Sequence, residues 1–343
     1  MNLPKDYFQE TLAKILSIDS PTGYTKNVIA EIKAQVSQMG YNSYLTNKGN
    51  LIVDLVGTGN KTVAISTHVD TLGLMVRGLN GDGTLSFTTV GGPILPTLDG
   101  EYCNIYTRYG KVYTGTILSN SPASHVYKDS AELVRNAQNM HVRLDEKVDS
   151  VDDAKALGLL PGDFICYDPK TVIKENGYIK SRFLDDKLSA AIVLATLKHF
   201  KDNNITPTVN AKVIFSTHEE VGHGLSYLPE GIAELLAVDM GCIGLDLSCS
   251  EYDVSICAKD SSGPYDYEFT SRLINLAKDA ELNYAVDIYP FYGSDASAAV
   301  RAGHDVVTGL IGPGVTASHG MERSHMSACE NAFKLLCLYL TTN

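Results

Sequence analysis

A chain of 343 residues exceeds the length at which one hydrophobic core usually stops growing, so a large domain with an insert, or two domains, is expected. Its 44% hydrophobic and 20% charged residues are ordinary for a globular protein, and 28 basic against 40 acidic side chains give a net charge of −12. That acidity argues against nucleic-acid and anionic-membrane partners. The first residues, MNLPKDYFQETLAK, hold no apolar stretch of signal-peptide length, and no later run approaches a membrane span. Seven cysteines form an odd, scattered set without a C-x-x-C pair, which reads as free thiols in a reducing cytoplasm. Any metal is then left to histidine and carboxylate ligands.

DYFQETLAKILSI and KNVIAEIKAQVSQM have helical periodicity and are separated by the turn-rich SPTGY. NSYLTN, NLIVDLV and TVAISTHVD follow as strands, with NKGN and GTGN as turns between them. From about residue 73 the texture changes to short β-like segments with Gly- and Asn-rich turns, broken only by a short helix in SVDDAKALG. After SRFLDD the α/β alternation returns. A buried helix is expected at DDKLSAAIVLATLKHF and strands at AKVIFST, LLAVDM, YDVSICA and DVVTGLI. SRLINLAKDA and the final CENAFKLLCLYL are helical. The fold class is therefore α/β, a central mixed β-sheet flanked by helices with a small β-barrel-like insert. The expected division is a discontinuous main domain, 1–72 and 170–343, interrupted by a β-rich insert at 73–169. Functional residues are expected at strand ends on both sides of the insert, where open α/β sheets place their sites.

Five stretches put a metal-competent side chain at such an end. In STHVD, His68 and Asp70 share one face of a strand, so Asp70 can take the second ring N–H of His68. Asp185 and Asp186 are adjacent in FLDDK, Glu219 and Glu220 in HEEVG, and Asp239 follows the strand of AVDMG. His319 and His325 lie in the Gly/Ser-rich ASHGMERSH. HEEVGH is not the helical zinc signature H-E-x-x-H, because its second histidine comes one residue late. Singly, each stretch has a plain structural explanation; Asp185-Asp186, for example, reads as a helix cap. Jointly they supply what a two-metal site needs: one bridging carboxylate and about two further ligands per ion. Imidazole with carboxylate and no thiolate suits zinc, cobalt or manganese. The glutamate doublet can divide the work, one binding metal while the other moves a proton.

The order H-x-D, D-D, E-E, V-D and a late His resembles the co-catalytic metallopeptidases of clan MH, and within them the M42 aminopeptidases. The likeness extends to SPTGY, the GG of VGGPI, SNSPASH, LGLLPGD and YGSDA. It implies that His68 binds one ion and is oriented by Asp70. Asp185 would bridge both ions, commonly through a cis peptide to Asp186. Glu219 would be the general base and acid and Glu220 a terminal ligand, with Asp239 joining His68 and His319 joining Glu220. Asp295 would lie on the substrate side. The chain departs from the family pattern in having His319-Gly-Met-Glu322 where H-S-P-V-E is common, Lys187 in place of an arginine, and VRLDEKVDS within the insert.

The implied activity is a binuclear metal-dependent aminopeptidase that releases N-terminal residues with metal-activated water. Two divalent ions per subunit are implied, zinc first, then cobalt or manganese. Self-assembly to a dimer or a dodecamer through the insert is also implied. A deacylase, amidohydrolase or carboxypeptidase would share the same metal core. A glycosidase built on two carboxylates leaves the His and Asp set unexplained, and the chain has no Trp for sugar stacking.

Overall fold

The computed structural model describes residues 1–342 and divides into two units, Leu72–Pro169 and a second built from Met1–Thr71 with the chain from Lys170 onward. At the centre of the larger unit run four mutually parallel strands: Asn210–Ser216, Thr62–His68, Glu234–Val238 and Val307–Val315. Antiparallel neighbours extend the sheet, with Leu51–Leu55 and Ser43–Leu45 on one side and Val254–Asp260 and Gly263–Pro264 on the other, and two parallel additions, Gly241–Cys242 and Tyr284–Ile288, bring it to ten strands. The central strands lie between layers of helix, so Val63 to Ser66 and all five residues of Glu234–Val238 are buried. Their register sets Ser216 beside His68 and Val238 beside Ile311. The chain therefore leaves the sheet at neighbouring points at His68, Thr217 and Asp239.

The helix Leu184–Asp202 is apolar on all sides over most of its length and is buried accordingly. It packs on Thr62–His68, on the first helix Lys5–Leu16 and on the last, Met326–Thr341. Two elements differ from the sequence expectation. ASHGMERSH is not all loop: Glu322–His325 is a strand paired with Tyr178–Ser181 in a small three-stranded sheet, and the last helix starts at Met326 rather than Cys329. Tyr284–Ile288 is a further strand, parallel to Val254–Asp260, that patterning did not reveal.

The smaller unit is a closed barrel of six antiparallel strands in the order Gly73–Leu79, Leu85–Val90, Met140–Leu144, Val112–Ser119, Tyr102–Tyr106, Phe164–Tyr167. Closure leaves no free edge. Its core includes Leu74, Phe87, Ile105, Ile117, Val142 and Ile165, each contributing about 1.5–3 kcal/mol by leaving water. The fold is thus a mixed α/β sheet with an inserted barrel. Among the described residues, no helix is long and apolar enough to cross a membrane.

Candidate metal centre

His68 ends its strand fully buried. Its Nδ1 lies 3.0 Å from the carbonyl oxygen of Asp70, which can only accept, so Nδ1 carries a proton and Nε2 faces the site. The expected partner atom differs: the Asp70 carboxylate is 3.6 Å from that nitrogen and is engaged elsewhere. It accepts from the Thr22 hydroxyl at 2.6 Å, from the N–H of Glu219 at 3.1 Å and from the N–H of Glu220 at 3.3 Å. One residue thus orients His68 through its carbonyl and holds the glutamate turn through its side chain. Thr22 belongs to SPTGY, which gives that motif a physical task.

Asp185 and Asp186 are joined by a cis peptide and do not cap the following helix; both have non-helical backbone angles, and Phe183 precedes them in the left-handed region. The Asp186 carboxylate turns back to the strand, accepting from the Thr67 hydroxyl at 2.5 Å and the His68 N–H at 3.2 Å. The Asp185 carboxylate lies between two imidazoles. Its Oδ1 is 3.1 Å from His68 Nε2, and its Oδ2 is 3.6 Å from His319 Nε2. His319 Nε2 is also 3.6 Å from Glu220 Oε2. On the other side, His68 Nε2 is 3.6 Å from Glu219 Oε2 and 4.0 Å from Asp239 Oδ1. Glu219 to Val221 form one short turn, ended by Gly222 at φ 80°, a conformation glycine adopts freely.

Six of the candidate residues therefore converge: His68, Asp185, Glu219, Glu220, Asp239 and His319. His325 does not join them. Its Nδ1 caps the last helix at Ser327 and its Nε2 meets the carbonyl of Asn176 at 3.0 Å. Asp295 lies beneath the glutamate turn, accepting from the Leu225 N–H at 3.0 Å and from the Ser216 hydroxyl. Sequence reasoning gave Glu322 no role. Buried, it accepts the N–H of Asp185 at 3.1 Å and of His319 at 3.0 Å, bracing two site residues far apart in the chain. His319 needs such a brace because it sits at φ 65°, rarely populated outside glycine. The cleft over these groups measures about 220 Å³ and is lined also by Phe291, Tyr292, Gly293, Ser294 and Arg301.

The electrostatics are those of crowded acids. Burial pushes the Glu219, Glu220, Asp186 and Glu322 carboxyls well above the usual range, and neighbouring carboxylates add to it. Burial and Asp185 push Asp239 up to about 7, and burial pushes Asp295 up to about 6. Burial raises Asp185 too, but His68 and His319 outweigh it and hold that carboxyl below the usual range. Burial opposes charge on His68, yet Asp185, Glu219 and Asp239 raise it well above an ordinary imidazole. Glu220 Oε1 and Asp186 Oδ1 are buried without a hydrogen-bond partner. Excess buried negative charge, an orphaned carboxylate oxygen and imidazole nitrogens facing inward fit divalent cations. Two donor sets lie within 4.8 Å internally: His68, Asp185 and Glu220, and His68, Glu219 and Asp239.

The sequence profile of the M42 glutamyl aminopeptidases matches residues 49–335. The chain belongs to that family. It is a peptide-hydrolysing enzyme of the aminopeptidase class, from a metal-dependent family. "Putative aminopeptidase YhfE" of Bacillus subtilis (strain 168) is 44% identical over 333 residues, 96% of each chain. Among solved structures, the Pyrococcus horikoshii TET1 peptidase, described as assembling into a tetrahedron or a large octahedral shell, is similar with a TM-score of 0.85 and 22% identity. The match covers 98% of this chain and 100% of that one. The TET aminopeptidase of the marine sediment archaeon Thaumarchaeota archaeon SCGC AB-539-E09 has a TM-score of 0.87 at 18% identity, covering 98% and 97%. At those identities the likeness is one of fold.

Proposed function

We propose that this M42 enzyme is a two-metal aminopeptidase that removes the first residue of a peptide. The observation that carries the proposal is the Asp185 carboxylate, one oxygen turned to His68 and the other to His319, as a bridging ligand requires. Asp185 would bridge, His68 and Asp239 would complete one ion, and His319 and Glu220 the other. When bound, the two cations supply Lewis acidity to the scissile carbonyl and to the attacking water.

Glu219 does the proton work. Its carboxyl is buried, and burial with the neighbouring carboxylates raises it well above the usual range, which makes it a better proton acceptor than an exposed glutamate. Water oxygen bonds to the carbonyl carbon while Glu219 accepts a water proton. The C–N bond then breaks, and Glu219 returns that proton to the departing amine. Asp70 holds the turn that aims Glu219. The acidic cleft suits the substrate's positively charged α-amine, which favours N-termini over internal bonds. Arg301, a guanidinium on the cleft lining, favours an acidic first side chain.

Zinc is the first expectation for the metal, then cobalt or manganese, and the free thiols favour the cytoplasm. The barrel unit is proposed to serve self-assembly. It leaves Tyr102, Tyr109, Val112, Val126 and Val134 more than half exposed, and the Pyrococcus horikoshii relative forms large shells. The deciding experiment is metal analysis of the purified protein with a panel of aminoacyl-coumarins and N-acyl amino acids, with and without chelator. Hydrolysis of aminoacyl amides that chelation abolishes and added cations restore is expected, fastest for glutamyl or aspartyl. Turnover of N-acyl amino acids alone would replace the proposal with the deacylase alternative.

A further inference from the structure

We propose that Phe291 is a specificity-determining residue, its ring packing against the side chain of the peptide's second residue and favouring large apolar residues there. This rests on the aminopeptidase reading of the cleft. Phe291 lines the cleft with Asp185, Glu219, Asp239 and Arg301, and among the described lining residues it is the only wholly apolar side chain. It is 96% exposed, whereas Asp239 is 4% and Asp185 6% exposed. Burial thus orders the cleft from a charged floor to a rim that includes one bare aromatic ring. A phenylalanine exposed elsewhere on the surface would need no explanation, but this one borders the groups that carry the chemistry.

The ring projects from a segment fixed on both sides. Before it, the Tyr289 N–H donates to the Lys259 carbonyl at 2.8 Å, and Pro290 restricts the backbone between. After it, Tyr292 turns inward, where the Asp239 carboxylate takes a hydrogen bond from its hydroxyl. The Tyr292 ring stands edge-on to Tyr289, with centroids 5.1 Å apart and planes at 74°. Its carbonyl accepts from the Ser261 N–H at 3.1 Å and the Ser261 hydroxyl at 2.5 Å. Ser294 then caps the helix Asp295–Arg301 with a reciprocal pair of hydrogen bonds. A platform held this firmly loses little backbone freedom when a ligand covers it.

The ligand's identity follows from the direction a peptide must take. Its scissile carbonyl has to reach Asp185 and Glu219, and its charged α-amine is held among the buried acids. The first residue is therefore the inner one. Everything beyond the scissile bond is a chain of any length, which needs an open path, and the second residue is the first on it to pass the rim. Phe291 offers no hydrogen bond and no charge, so only apolar area distinguishes one second residue from another. A Phe or Leu there covers the ring and leaves water itself, while a Gly covers almost nothing. The contact is the same before and during bond breaking, so it acts on KM rather than kcat.

The test is hydrolysis of dipeptides that share the first residue wild type prefers and carry Phe, Leu, Gly or Asp second. Wild type should favour Phe and Leu over Gly by about tenfold in kcat/KM, mostly through KM. Phe291→Ala should bring that ratio to within about twofold, and Phe291→Leu should keep most of it. Metal content and the assembly seen by size exclusion should match wild type in both. A wild type without apolar preference, or an alanine variant that retains it, would overturn the proposal. So would an alanine variant whose preference changes for the first residue instead, or one whose assembly changes, which would make Phe291 a contact between copies of the chain. A wild type inert on every dipeptide and aminoacyl-coumarin would instead overturn the aminopeptidase reading, and the role of Phe291 with it.

Discussion

Asp70 shows how much of this site is built from atoms that never meet a substrate. Its carboxylate takes the N–H groups of Glu219 and Glu220, while its carbonyl fixes the tautomer of His68. Glu219→Gln keeps the turn and removes only the proton acceptor, so kcat should fall by roughly 10²–10⁴-fold with metal content unchanged. Steady-state rates with elemental analysis check this; an active glutamine variant would move the base elsewhere. Asp70→Asn should behave differently. An amide offers one acceptor oxygen where two N–H groups and a hydroxyl now bind, so the turn shifts, and both metal affinity and kcat should drop by about 10–100-fold. A metal titration that matches wild type would confine Asp70 to a lesser role. At this scale the H-x-D spacing sets the two residues side by side but does not give the bonding atoms, because residue spacing cannot tell carbonyl from carboxylate. Glu322 was illegible for a related reason. It acts by accepting backbone N–H groups of Asp185 and His319, and no side-chain pattern reports that.

The elements deliver the site by bringing strand ends into register, and close approach between strands matters as much as ligand identity. Gly312 in Val307–Val315 shows this: a Cβ there would stand 1.5 Å from the carbonyl oxygen of Asp239. The neighbouring strand can pass only because the side chain is absent. Gly312→Ala must push Asp239 away from His68 or part the strands, at a cost of about 1–3 kcal/mol by the precedent of overpacked cores. Urea denaturation should show a lower midpoint, and a metal titration should show weaker binding; an unchanged midpoint would mean the strands have slack. Most central strands are readable from sequence because apolar runs such as LLAV end in an acid. Tyr284–Ile288 is not, since its alternation is inverted: Ala285 and Asp287 face inward while Val286 and Ile288 are exposed. Asp287 is buried because it accepts from Ser248 and Cys249, a polar reason that hydrophobic patterning does not detect. Glu322–His325 fails as a strand for similar reasons, being four mostly polar residues stabilised by one partner strand.

At the scale of the molecule, the strand Glu234–Val238 and Asp239 just beyond it join two opposite electrostatic environments. Glu234 meets Lys61 and Arg272. Burial would raise its carboxyl, but those cations hold it below its ordinary value of 4.5. A carboxyl lowered on folding stabilises above the unfolded value, and the contribution is lost as pH falls through the folded one. Glu234→Gln should therefore lower Tm at pH 7, with the difference from wild type shrinking below pH 4.5. At the other end Asp239 is raised from 3.8 to about 7, so the sign reverses. In chelated protein its contribution is greatest below 3.8 and is lost as pH rises through 7, as carboxylates ionise side by side. Divalent cations reverse this by neutralising the cluster, and they bind best once the carboxylates are ionised. Cation at about 100 times its Kd should stabilise the fold by about 2.7 kcal/mol. Thermal melts of chelated protein, with and without added zinc or cobalt, should thus show a shift of a few degrees at pH 8 and a smaller one at pH 5. A shift equal at both values would mean that the ions bind away from the carboxylates gathered around Asp185.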